Sequence, residues 1–152
     1  MGMTDDRSGS SDGPAERHRR PANVDDTTVA AAGKLSEALE TTERARGHLY
    51  TFHQLTGGAD FALERAAELF REAGHDRIAD RISTELVGRN VLSGRWTFQI
   101  VEEYDDGYYD LFRSIEREVR DALLQGRRHV YEAEMKEARR TNGLPGHEAR
   151  PR

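Results

Sequence analysis

The sequence predicts an all-α protein: a helical bundle of four to five helices with a long C-terminal helix and a disordered N-terminal tail. Three observations carry this. Apolar residues recur every three or four positions through most of residues 28–140, the spacing of one helix face. The four prolines stand at 14, 21, 145 and 151, so no ring interrupts a helix between Pro21 and Pro145. No run alternates with the period of a strand; Gln99-Ile100-Val101 could begin a short one, but no partner strand is evident.

Residues 1–27 are Ser, Asp, Gly, Arg and Pro with almost nothing to bury. Such a segment cannot offset its ordering entropy, which predicts a disordered tail. It carries a basic patch, Arg17-His18-Arg19-Arg20, preceded by Asp5, Asp6, Asp12 and Glu16, and reads as solvated. The domain proper is 28–140. Its first helix spans about 34–56, with the stripe Leu35, Leu39, Thr42, Ala45, Leu49, Phe52 and Thr56, and Gly57-Gly58 ends it. Asp60 reads as the N-cap of a second helix, about 61–73, burying Leu63, Ala66, Ala67 and Phe70. Gly74 suits the position after a helix, and Asp76 caps a third, about 77–87, with Ile78, Ala79, Ile82 and Leu86. Residues 88–97 read as a loop. A stripe from Val101 through Tyr104, Tyr108, Leu111, Ile115, Val119, Gly126 and Val130 to Ala133 predicts a long helix, about 98–140. Either a break or kink near Asp105-Asp106-Gly107 or a projecting C-terminal half is expected of it. Residues 141–152 read as an irregular tail after the stop at Asn142-Gly143.

Composition excludes several classes. The chain of 152 residues has no Cys, hence no disulfide framework, thiolate nucleophile or Cys-based zinc site. MGMTDDRSGS lacks the apolar core of a secretory signal, and no apolar run reaches membrane-span length, so a cytoplasmic protein without a membrane partner is expected. A net charge of −5 argues against nucleic acid as partner. Of the 23 basic residues 21 are Arg, the expected signature of GC-rich coding; the functional alternative is bidentate pairing with carboxylate or phosphate.

No catalytic set is complete. There is no nucleophile elbow around Ser93 or Ser114, no phosphate loop and no dinucleotide fingerprint. A di-iron bundle needs Glu-x-x-His on two helices. Glu72-Ala-Gly-His75 has the letters but is interrupted by Gly74; His129-Val-Tyr-Glu132 has the reverse order, with Glu118 on the same flank, while Glu43 lies out of phase. His48 and His53 are about 140° apart around a helix and cannot share one ion. His53 falls in the apolar sector, in line with Arg46 and Leu49.

The segment 89–112 differs in kind. Six of the 11 aromatics lie between 96 and 112, after Arg89, Asn90 and Arg95. Trp, Tyr and Arg anchor interfaces. A recognition surface or small pocket formed by Arg89, Asn90, Arg95, Trp96, Tyr104 and Tyr108 is one expectation, including an anion or nucleotide site. The plainer one is that Trp96 and Phe98 plug the bundle end while Arg89 and Arg95 pair with Glu102 and Glu103.

In ARGHLYTFHQLTGGAD, GRNVLSGRWTFQIVEEYDDGYYD, GRRHVYEAEMKEARR and GLPGHEARP, from Leu35 to about Arg150, the chain resembles a group of small uncharacterised actinobacterial helical proteins. The resemblance implies no activity, cofactor or catalytic residue. It does draw attention to GLPGHEARP, as a stretch that packs back on the bundle or docks elsewhere.

Together these readings predict a non-enzymatic helical interaction protein, partnering a protein or itself through apolar surface on its long C-terminal helix, with no cofactor. The alternative is a ferritin-like or other metal- or small-molecule-binding bundle, holding a divalent metal such as iron or zinc with His53, His129, Glu132, Glu118 or His48.

Overall fold

The computed structural model describes residues 12–151. They form an all-α helical bundle protein. The elements are a short 3-10 turn at Glu16–His18, α1 at Asp26–Glu72, α2 at Asp76–Arg81 running into a π turn at Ile82–Leu86, α3 at Thr97–Tyr104, a second π turn at Asp105–Tyr109, α4 at Asp110–Leu124 and α5 at Val130–Arg139. Among the described residues there is no strand, only an isolated bridge between Leu92 and Arg95.

The chain divides into two compact units, one holding residues up to 38 and from 114 onward, the other Leu39–Arg113. In the first unit, Asp25 precedes α1 and its carboxylate accepts the Thr28 N–H at 2.7 Å, satisfying a donor that the first turn leaves free. Helix formation thus begins at Asp26, earlier than the stripe alone indicates. Val29, Leu124 and Val130 form the apolar core, with Val24 and Ala32 packed on it. Gly33 is the point of closest approach: a Cβ there would lie 2.7 Å from Tyr131 Cγ on α5.

Residues 12–25, part of the expected disordered tail, pack on this unit. Arg20 donates to both Glu134 carboxylate oxygens at 2.9 Å, to Asp26 at 2.6 Å and to the Val24 carbonyl. Residues 1–11 lie outside the described residues. The C-terminal stretch after Arg139 is irregular, and it packs back within the unit. Arg140, its side chain 4% exposed, donates to Glu137, Asp12, Asn142 Oδ1 and the His147 carbonyl. Arg150 donates to the Gly13 carbonyl at 2.8 Å.

The long helix expected over 98–140 ends at Leu124, so the break falls near Gly126. Gln125, Gly126 and His129 all take positive φ, and Gly126 N–H reaches back to the Arg120 carbonyl at 3.0 Å, closing the helix end as left-handed glycine caps do. At Asp105-Asp106-Gly107 the helical run continues as a π turn. Such a turn takes in an extra residue and resets the phase of the face. Thr97, Val101, Asp105 and Tyr109 follow one another at four-residue steps, a rhythm that drifts around a pure α-helix. The π turn absorbs that drift.

In the second unit the first and second expected helices are one. α1 runs unbroken through Gly57-Gly58, and a Cβ at either glycine would meet nothing within 4 Å. The inner stripe explains this: Leu39, Thr42, Arg46, Leu49, His53, Thr56, Asp60, Leu63 and Ala67 keep one register across the glycines. Tertiary contacts along it outweigh the roughly 1 kcal/mol that each glycine costs a helix. Asp60 therefore caps no second helix; its carboxylate accepts the Gly88 N–H at 2.8 Å. The expected third helix is α2 with its π turn. Ala79 is fully buried there, but Ile78 and Leu86, expected inside, are exposed, as is Phe70 on α1. Gly74, at φ +86°, makes the turn between α1 and α2.

Candidate functional site

The second unit is organised around one guanidinium. Arg46 lies within the inner stripe of α1, where a cation needs a partner. Its Nε and Nη2 donate to the two Asp105 oxygens at 2.7 and 3.0 Å, a bidentate pair. Its guanidinium carbon also sits 4.9 Å from the Tyr50 ring centre and 4.8 Å from that of Tyr109, within cation–π range of both. Tyr109 OH donates to Glu43 at 2.6 Å, and Arg113 approaches the Tyr109 ring at 5.5 Å.

The charges follow from these contacts. The Arg46 hydrogen bonds hold Asp105 below the usual carboxylate range, against a smaller opposing effect of burial. Arg46 itself is pushed further up by Asp105. The bond to the Glu43 carboxylate raises the Tyr109 phenol, and burial raises Tyr104. This cluster fixes the register of α3 and its π turn on α1. Among the described residues no buried side-chain nitrogen or oxygen lacks a hydrogen-bond partner, and the cluster serves as a strut.

The expected recognition residues are mostly held elsewhere. Arg95 is ion-paired with Glu103, as the packing expectation had it. Arg89 makes one long contact, 3.5 Å, to the Glu85 carbonyl, and Asn90 is exposed. Trp96, 56% exposed, does not plug the bundle; its ring leans on Phe98 with centres 5.2 Å apart. Tyr104 stacks on Tyr109, and Tyr108, 59% exposed, packs on Phe112. The six residues do not converge on one pocket.

The metal candidates do not converge either. His53 Nδ1 is hydrogen-bonded to Thr97 Oγ1 at 2.6 Å, inside the second unit. His48 is exposed. His129, in the first unit, has its ring 6.2 Å from that of His18. Glu118 is exposed and Glu132 half-buried. Among the described residues, no three His, Asp or Glu side chains stand where they could hold a metal ion.

The structure does present a feature that the sequence reading missed. About 100° around α1 from the inner stripe runs a second one: Phe52, Leu55, Ala59, Ala62, Ala66 and Leu69, spaced three and four apart over five turns. Phe52, Leu55 and Leu69 are 42%, 68% and 47% exposed, and Ala59 and Ala62 are exposed between them. The signal was present in the spacing, but an end placed at Gly57 cuts the stripe in two. Exposed single leucines are ordinary on any protein; a continuous apolar helix face is not.

No protein-family model, curated protein or solved structure matches the chain. Among the described residues no helix is long and apolar enough to cross a membrane.

Proposed function

We propose that the protein is a non-enzymatic helical interaction protein that self-associates through the outer stripe of α1. The observation that carries this reading is the stripe's exposure and its internal symmetry. Turned end for end about the point between Asp60 and Phe61, the spacing of the stripe matches itself: position 52 meets 69, 55 meets 66 and 59 meets 62. A two-fold dimer needs such a self-complementary patch. The bulky residues stand at the ends and the alanines at the centre, where small side chains let two helices approach closely. This reading puts the partner surface on α1, where the sequence alone had suggested the C-terminal helix.

Leu55→Glu tests it. The side chain is exposed, so the chain should keep its helix content and melting behaviour as a monomer. Sedimentation velocity should show dimer for the unaltered chain and monomer for the variant. Equal sedimentation of the two would reject the stripe as the interface.

A further inference from the structure

Two basic segments 110 residues apart in the chain come together in the first unit. His18 Nδ1 donates to the Arg128 carbonyl at 2.7 Å, and Arg127 donates to the Arg19 carbonyl at 3.0 Å. Arg17 Nε donates to His18 Nε2 at 3.2 Å, and the His18 and His129 rings are neighbours. Sequence reasoning discounted Arg17-His18-Arg19-Arg20 because acids precede it. The fold changes its surroundings: Asp12 is engaged by Arg140 and Asn142, and Arg20 by Glu134 and Asp26. Arg17, Arg19, Arg127 and Arg128 have no ion-pair partner among the described residues, and Arg17, Arg19 and Arg127 donate only to neutral groups. Glu16, Glu132 and Asp121, the last with an oxygen 3.1 Å from where a Cβ at Gly126 would lie, are the nearby acids and offset part of that charge. The patch also stands at the start of α5, whose first-turn N–H groups favour an anion.

We infer that this patch binds a compact phosphate-bearing anion. Guanidinium forks match phosphate oxygens two at a time and hold their charge at any physiological pH. Compactness follows from the net charge of −5: an extended polyanion such as duplex nucleic acid would meet repulsion beyond the patch. The phosphate group can be that of a soluble ester or of a lipid headgroup.

The test is calorimetric titration of the full chain with inorganic pyrophosphate at low ionic strength, beside sedimentation with phosphatidylcholine vesicles containing phosphatidic acid. Saturable binding of pyrophosphate alone assigns a soluble ligand; binding of the vesicles as well assigns a headgroup. Arg17→Glu with Arg128→Glu should weaken binding by about tenfold or more, the loss expected for two charge-assisted contacts. Arg44→Glu, exposed on α1 about four turns beyond Val29, alters net charge and, with the titration repeated at about 0.15 M salt where exposed charges more than about 8 Å apart are screened, should leave affinity within about twofold. Arg128→Lys keeps the charge, loses the fork and should fall between. Absence of saturable binding to pyrophosphate and vesicles, binding of duplex DNA alone, or equal weakening by Arg44→Glu would overturn the inference.

Discussion

The two units are held together differently, the first at its core and by arginines near its termini, the second by a polar strut. In the first, Val29, Leu124 and Val130 meet in a small core, and Arg20 and Arg140 tie both chain ends onto α5 and the segment beyond it. In the second, the buried apolar side chains are Ala67, Ala79, Val101 and Tyr109, and a polar strut at Arg46 holds the helices in register. Large apolar side chains are exposed in both, Ile115, Leu123 and Met135 in the first and Phe52, Leu55 and Leu69 in the second, where the last three line up along one face of α1. That alignment, with alanines between the bulky side chains, is what the second unit would offer to a second copy in the proposed dimer. That is the physical ground for reading the second unit as the interacting one.

The comparison can be broken at the strut first. Arg46→Ala leaves Asp105 without its partner and strips Tyr50 and Tyr109 of their cation. Because both members of the pair keep roughly a quarter of their surface, the cost should be about 2–3 kcal/mol, at or below the lower end for buried pairs. Chemical denaturation checks it, and amide exchange should rise in α3 and the π turn before it rises in α5.

Glycine substitutions sharpen the contrast from the other side. Gly33→Ala pushes a methyl into the Tyr131 ring and should destabilise the first unit by about 1–2 kcal/mol, overpacking outweighing the gain in helix propensity. Gly57→Ala, in open space on the same helix, should stabilise by about 0.5–1 kcal/mol. Thermal melts of the two variants should move in opposite directions.

The smallest effect is the pH response, and it should differ between units. Asp12, held low by Asn142 and Arg140, and Glu137, held low by Arg140, belong to the first unit, as does Asp25 with its Thr28 bond. A carboxyl depressed in the folded state contributes stability above its unfolded pKa, which is lost as pH falls through the folded value. The first unit should therefore loosen mainly below about pH 4. The second has one such carboxyl, Asp105, but also Tyr104 and Tyr109 with raised phenols. A raised phenol contributes stability below its unfolded pKa, which is lost as pH rises through the folded value, so the second unit should loosen above about pH 10. Residue-resolved amide exchange at the two extremes would show the opposite order if this assignment is mistaken.

The all-α class was legible because periodicity and proline placement both report on local backbone geometry. The stop near Gly126 and the weak point at Asp105-Asp106-Gly107 were less so. A glycine ends a helix only where contacts do not carry the register through it, and Gly57-Gly58 and Gly126 look alike until those contacts are known. Arg46 was visible as a cation in an apolar stripe, but its partner is 59 residues away and spacing names no long-range pair. The meeting of Arg17-His18-Arg19 with Arg127-Arg128-His129 was hidden for the same reason. The outer stripe was hidden by the misplaced end at Gly57 and by the assignment of Phe52 and Ala66 to the buried face.

One measurement goes to the centre of the account. The chain has no cysteine, so Ala62→Cys creates a single thiol close to the proposed two-fold axis, and Phe61→Cys places one beside it in sequence but well around the helix. Treated with a short bismaleimide, the Ala62→Cys protein should couple into covalent dimers and the Phe61→Cys protein should remain single chains. Equal coupling of both, or of neither, would contradict self-association through the outer stripe of α1.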